Sequence, residues 1–338
     1  KSNLDRIQEL VDRATLLVGF NLKFDLHWLR RYGINFQSKR VFDCQLAAFI
    51  LSYQRVAYPS LDNTALQYLG RRKLDIVDTE YWSHGIDTCD IPWDILSEYA
   101  TLDAELTYEL YLVLKELFDR PENTKLKTLL SLQCQDLLTL EEMEWNGMKY
   151  NFEQSKQKEQ EIKQKLEEIY GVLNQYFPST YINWNSGDDL SCVLYGGTVI
   201  NSFRVPVGVY KTGVRAGEVK LGWEHKEMVL PRLVEPLERS KLAKEGYWST
   251  AEPILKQLKP KGKAKEIIKL VQEAGKLEKL NGTYYAGIPK LAEVMGWTDG
   301  MLHGLFNQVV AVTGRLSSSR PNLQNAAGEI DDLFITRY

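Results

Sequence analysis

The chain changes its spacing of apolar residues several times. Leu16-Leu-Val-Gly-Phe20 is a short apolar run of strand type. Leu26, Trp28 and Leu29 then predict a helix. Apolar and aromatic positions at 99, 102, 106, 110 and 111 have a helical period. So do Leu129, Leu132, Leu137, Leu140 and Met143, and Asn146-Gly147 closes that helix, because glycine is the usual C-terminal stop. Residues 151–176 read as a charged helix with Lys and Glu at i, i+4 spacings. Asn185 or Ser186 is suited to cap a short helix carrying Leu190, Val193 and Leu194. Between Thr198 and Leu230 the period drops towards two and glycines punctuate it, which predicts one or two β-hairpins. Ser249-Thr-Ala-Glu252 reads as a capping box opening a helix. Strands are expected over 301–313 and 329–335.

At 338 residues and 44% hydrophobic content, the chain can build two or three domains with proper cores. The net charge of −3 excludes a polycation, so any nucleic-acid contact must come from local patches. One such patch is 256–279, with eight lysines against three glutamates. Cys44, Cys89, Cys134 and Cys192 are widely spaced and form no C-x-x-C. This argues against a disulfide framework or a zinc site and for a reducing compartment. No apolar run reaches transmembrane length and no signal peptide is evident, so no membrane partner and a cytoplasmic location are expected. Both ends read as cuts: the first residue is not methionine, and the last follows an apolar run.

Three stretches carry candidate chemistry. Thr313-Gly-Arg-Leu-Ser-Ser-Ser-Arg-Pro-Asn-Leu-Gln-Asn325 is dense in hydrogen-bond donors and poor in groups to bury, which suits a phosphate backbone or base edge. Pro321 is expected to keep Arg320 extended. Asp25, just beyond the first strand, is placed to hold a metal ion. Tyr99 and Asp103 lie four apart on one helix face. Two-metal phosphodiester hydrolysis needs carboxylates for the ions and a group that orients the attacking water, and such a tyrosine suits the second task. Asp43 and Asp62 read as caps, and Asp78-Thr-Glu80 as an unrelated loop.

Thr313–Ser318 with Pro321–Asn325 resembles the TGRLSS…PNLQN motif at the start of the palm in family A DNA polymerases. Asn21, Phe24 and Asp25 resemble N-x-x-F/Y-D, and Tyr99 with Asp103 resembles Y-x-x-x-D, the second and third motifs of DEDD-type 3′→5′ exonucleases. Lys276-Leu-Glu-Lys279 and the following Thr283-Tyr284 resemble a segment at the thumb base. The inserted hairpin is most like phage members. The resemblance implies an α/β ribonuclease H-like exonuclease domain (1–120), a connecting helix (121–150), an α-helical thumb with a β-hairpin insertion at about 198–246 (151–290), and the first strands of an α+β palm (291–338). It implies catalytic roles for Asp25, Tyr99 and Asp103, with Asp25 and Asp103 as Mg²⁺ ligands in two-metal sites. It also implies DNA contacts from Asn21, Lys276, Lys279, Arg315, Gln324 and Asn325.

The implied partners are a DNA primer–template and deoxynucleoside triphosphates. The triphosphates require palm and fingers motifs not found in this sequence, carried in the same chain or a second one. The first exonuclease motif, D-x-E, is also not found, since 24 residues precede Asp25. Two alternatives stay open: a stand-alone exonuclease with a DNA-gripping extension, and a non-catalytic DNA-binding subunit of a split polymerase.

Overall fold

The computed structural model describes residues 2–335 except 216 and 327. The chain forms two compact units, 1–150 with 291–338, and 151–290.

In the first unit, β1 (Leu16–Gly19) and β2 (Arg40–Asp43) pair in parallel, with Leu16 opposite Arg40 and Gly19 opposite Asp43. Around them lie α1 (Asn3–Arg13), α2 (Leu22–Arg31), α3 (Cys44–Leu51), α4 (Leu61–Leu69), α5 (Ile76–Glu80), α6 (Trp93–Asp119) and α7 (Thr124–Asn146). Leu106, Leu110 and Leu114 of α6 are fully buried at i, i+4, i+8, and Leu130 and Leu137 of α7 join the same core with Leu26, Val41 and Phe49.

Asp43 shapes the top of this sheet. It caps its own helix by accepting from Gln45 N at 2.7 Å and Leu46 N at 3.0 Å. Its other oxygen accepts from Leu22 N at 2.7 Å, at the start of α2. One buried carboxylate therefore satisfies the orphan N–H groups of two helices. Asp62 does not cap α4; Ser60 does, by accepting from Asn63 N. Asp62 instead accepts from Arg72 and from Lys73 N.

Helix α7 binds α2 through two buried glutamates. Arg30 grips Glu141 with two parallel hydrogen bonds, of 2.8 and 2.6 Å. Glu144 accepts from Lys23 at 2.5 Å and from Phe306 N at 2.6 Å, and lies 2.8 Å from His27 Nε2. Gly147 ends α7 at φ 63°, where a Cβ would stand 2.9 Å from His303 Nδ1.

The second unit contains α8 (Phe152–Gln175), α9 (Gly187–Tyr195), β4 (Gly197–Val209), β5 (Val219–Leu230), α10 (Glu252–Leu255) and α11 (Gly262–Leu280); β3 (Met148–Lys149), just before it, belongs to the first unit. Leu173, Ile182, Val193, Leu194 and Ile267 form its core. Ser186 caps α9, accepting from Asp189 N at 3.2 Å. The stretch 198–230 is a single long hairpin, of which Val199, Asn201 and Leu230 are buried. The capping box at 249–252 does not form. Ala251 is the cap residue of α10, and the Ser249 hydroxyl accepts from Ala251 N.

The first unit resumes at Leu291, within α12 (Gly287–Met295), and continues with β6 (Met301–Leu302), β7 (Leu305–Asn307) and β8 (Ser317–Ser319). β6 pairs antiparallel with β3, and β7 with β8. Strand structure over 301–313 is thus limited to two short pieces. Residues 328–333 are not the expected strand but 3-10 turns, and Phe334 alone bridges to Tyr150.

Glu144 connects these pieces and yields a stability prediction. Burial pushes its carboxyl up, but His27, Lys23 and the Phe306 N–H outweigh burial and hold it below its usual 4.5. A depressed folded value stabilises the fold above pH 4.5, and that contribution is lost as pH falls through the folded value. Glu144→Gln is expected to cost about 3 kcal/mol at pH 7, since it breaks a buried ion pair. The difference should shrink as pH drops below 4.5. Urea denaturation at pH 7 and pH 3.5 checks both statements.

Candidate functional site

Within the first unit, the residues singled out in the sequence fall into three places. The first is a corner on α6. Tyr99 and Asp103 lie one turn apart on the same helix. Lys73 Nζ donates to Tyr99 Oη at 3.2 Å and pairs with Asp78 at 2.6 Å. Trp82 packs edge-on against the Tyr99 ring, with centroids 5.8 Å apart. Desolvation raises the Tyr99 phenol and the Asp103 carboxyl, while Lys73 pulls both down. Oδ1 of Asp103 is buried and has no hydrogen-bond partner.

Asp78 was set aside in the sequence as part of an unrelated loop. It sits on α5 beside this corner and is among the charges acting on Asp103. Lys73 was not singled out. Its contact with Tyr99 spans 26 residues, and no local spacing marks it.

The second place is the first turn of α2. Asn21 precedes this helix at φ 57°, ψ 47°, and its side chain makes no capping bond. It lines a small cleft of about 150 Å³ with Tyr58 and Asn307. Asp25 is open to solvent on one side and crowded on the other. Desolvation, then the charge of Asp43, pushes its carboxyl up to about 6. Neither Asp25 nor Asp103 is among the charges that shift the other.

The third place is 313–325. Arg315, Gln324 and Asn325 are exposed and line one open concavity of about 550 Å³, with Ser317, Ser318 and Asn322. Ser318 shapes its floor, donating to Pro321 O at 3.3 Å and accepting from Leu323 N at 3.2 Å. Arg320 is not extended but left-handed, at φ 55°, as the chain turns through this bonded loop. Lys276 and Lys279 belong to the other unit, exposed on α11.

Residues 3–119 match the 3′-5′ exonuclease family, and residues 225–333 match DNA polymerase family A. Over most of its length the chain is similar to DNA polymerase I of several organisms. DNA polymerase I of Treponema pallidum (strain Nichols) is 28% identical over 320 residues, 93% of this chain and 26% of that protein. DNA polymerase I of Aquifex aeolicus (strain VF5) is 23% identical over 352 residues, 98% of this chain and 50% of that protein. The chain thus spans between a quarter and a half of the length of these relatives. The fold resembles the POL domain of Pol1 from M. smegmatis in complex with DNA primer-template and dNTP, with a TM-score of 0.63 and 20% identity. That likeness covers 94% of this chain and 44% of the other.

A polymerase I-like chain raises the question of metal ions. Among the described residues no group of three or more His, Cys, Asp or Glu side chains is gathered so as to hold one. The free Oδ1 of Asp103 suits a cation, but Asp25 and Asp103 alone supply too few carboxylates for a two-metal centre. No helix among the described residues is long and apolar enough to cross a membrane.

The Asp25 shift predicts a pH-dependent effect on stability. A folded value of about 6 lies above the ordinary 3.8, so the group stabilises fully below pH 3.8 and this is lost as pH rises through about 6. Asp25→Asn, which cannot ionise, is expected to be more stable than the parent chain at pH 7 and to converge with it near pH 4. Chemical denaturation at both pH values is the measurement; a variant less stable at pH 7 contradicts the prediction.

Proposed function

We propose that this chain supplies the exonuclease fold, thumb and first palm segments of a DNA-directed DNA polymerase with 3′→5′ proofreading. The observation that carries this reading is the concavity at 313–325. It gathers a guanidinium, three carboxamides and serine hydroxyls on one open surface within the polymerase-family match. Such donors suit the sugar–phosphate and minor-groove acceptors of a primer terminus. Arg315 grips the terminus, and Gln324 and Asn325 line the path of the duplex. Lys276 and Lys279 add phosphate contacts that are independent of sequence and weakened by salt.

In the exonuclease part, Asn21 contacts the strand and Tyr99 orients the attacking water. The Tyr99 phenol keeps its proton, because desolvation raises it. Asp25 and Asp103 are the carboxylates of the site. Mg²⁺ belongs to this reading, but this chain gathers only part of a ligand set, and no step is derived through the ion. Deoxynucleoside triphosphates are the second partner, bound by palm and fingers motifs in this chain or another, and the setting is cytoplasmic. The phage-type affiliation rests on the hairpin alone, and the relatives named above are bacterial.

Arg315→Ala is expected to weaken primer–template binding about tenfold, the usual order for one lost nucleic-acid contact. Lys276→Ala with Lys279→Ala should lower affinity for all sequences and reduce the salt slope by about two. Fluorescence anisotropy of labelled DNA across a salt series reads both. Unchanged affinity in Arg315→Ala would sink the primer-grip assignment. Shortening of 3′ ends with no primer–template binding would favour the stand-alone exonuclease instead.

A further inference from the structure

Tyr99 can orient a water only if its own hydroxyl is held. A phenol oxygen has one hydrogen and two lone pairs, and its hydrogen rotates to suit its surroundings. Lys73 occupies a lone pair from one side. The proton is then directed away from the ammonium, and Asp103 stands one turn on along the same helix.

Lys73 is itself held at three points. Its backbone N–H donates to Asp62 Oδ1 at 3.2 Å, so Asp62 fixes where the side chain starts. Asp78 fixes where it ends, 2.6 Å from the ammonium. In between, the ammonium stands 5.2 Å from the centroid of the Tyr99 ring. Trp82 closes the other side of the ring and is itself pinned by its indole N–H on Thr88 Oγ1 at 3.1 Å. These contacts run from Asp62 and Asp78 through Lys73 to Tyr99. One turn on, Asp103 keeps a buried oxygen without a partner.

We propose that Lys73, braced by Asp78, is a positioning residue that fixes the Tyr99 hydroxyl on the helix face it shares with Asp103. This rests on reading Tyr99 and Asp103 as the hydrolytic corner of the exonuclease. Lys73 touches no reacting atom; it acts through Tyr99. An arginine can keep both contacts, whereas a methionine of similar length keeps neither.

The test compares Lys73→Met, Lys73→Arg and Asp78→Asn with the parent chain. The first readout is ¹⁹F NMR of fluorotyrosine-labelled protein at one fixed pH, with the Tyr99 signal assigned by Tyr99→Phe. Lys73→Met is expected to shift or broaden that signal, and Lys73→Arg to restore it. Thermal melts establish that each variant is folded. The second readout is excision from single-stranded 3′ ends, where kcat should fall about 10- to 100-fold in Lys73→Met with KM unchanged, and recover in Lys73→Arg. An unmoved Tyr99 signal in folded Lys73→Met overturns the proposal, whatever the activity. A parent chain without excision activity counts against the exonuclease reading instead, and the NMR result still decides whether Lys73 holds Tyr99.

Discussion

Two carboxylates on one face of α7, Glu141 and Glu144, are buried, and burial of an unpaired carboxylate is not tolerated. Each must find hydrogen-bond donors, and one stripe of α2 supplies them. Lys23, His27 and Arg30 recur at i, i+4, i+7, so all three reach the same neighbour. The pairing permits one register of α2 against α7, because a slip by one residue would leave a buried charge unmet. That register sets where α2 begins, and with it Asn21 and Asp25. Glu144 also takes the Phe306 N–H, which places β7 and through it β8 and the Arg315 loop. Two of the three candidate places in the first unit are therefore indexed by one pair of side chains.

How legible such features are in a sequence depends on the distance over which they act. Helices α6, α7 and α8 and the cap at Ser186 follow from spacings of three and four residues, and the sequence displays them. The hairpin is legible because alternation and glycine are local signals. The 328–333 segment misleads for a specific reason. Ile330 and Leu333 are three apart; a strand would send them to opposite faces, while a 3-10 turn buries both on one side, and both are buried. Ser249 fails as a cap because the helix after it has four residues and takes Ala251, two places later, as its cap residue. The Lys73–Tyr99 contact and the α2–α7 ladder join residues 26 and more than 100 apart, beyond the reach of any period.

The hairpin shows how a long ribbon can stand in water with little core behind it. Its base is anchored by Val199 and Leu230. Further out, Pro206 and the register shift before Gly208 interrupt one edge, and Lys220, Glu224 and Lys226 charge the other. These are the usual guards against strand addition. Gly222 is required by packing: a Cβ there would stand 2.5 Å from Val207 Cγ1, so the bulged strand can fold over its partner only at a glycine. Arg204 covers Trp223 from across the ribbon at 4.5 Å. The ribbon is thus protected against self-association by its edges.

The carboxylates of the first unit can be ordered by how completely they are answered. Both oxygens of Glu141 are held by Arg30, and both of Glu144 by cations or an N–H. Both oxygens of Asp43 accept backbone N–H groups. These three serve the fold, and nothing is left over for a ligand. Asp25 and Asp103 differ. Burial and neighbouring charge raise Asp25, and Asp103 keeps a buried oxygen with no partner. An unsatisfied buried acceptor costs stability and persists where something else uses it. The same physics that makes Glu144 structural therefore sets Asp103 apart, as a carboxylate with one buried oxygen that the fold itself does not use.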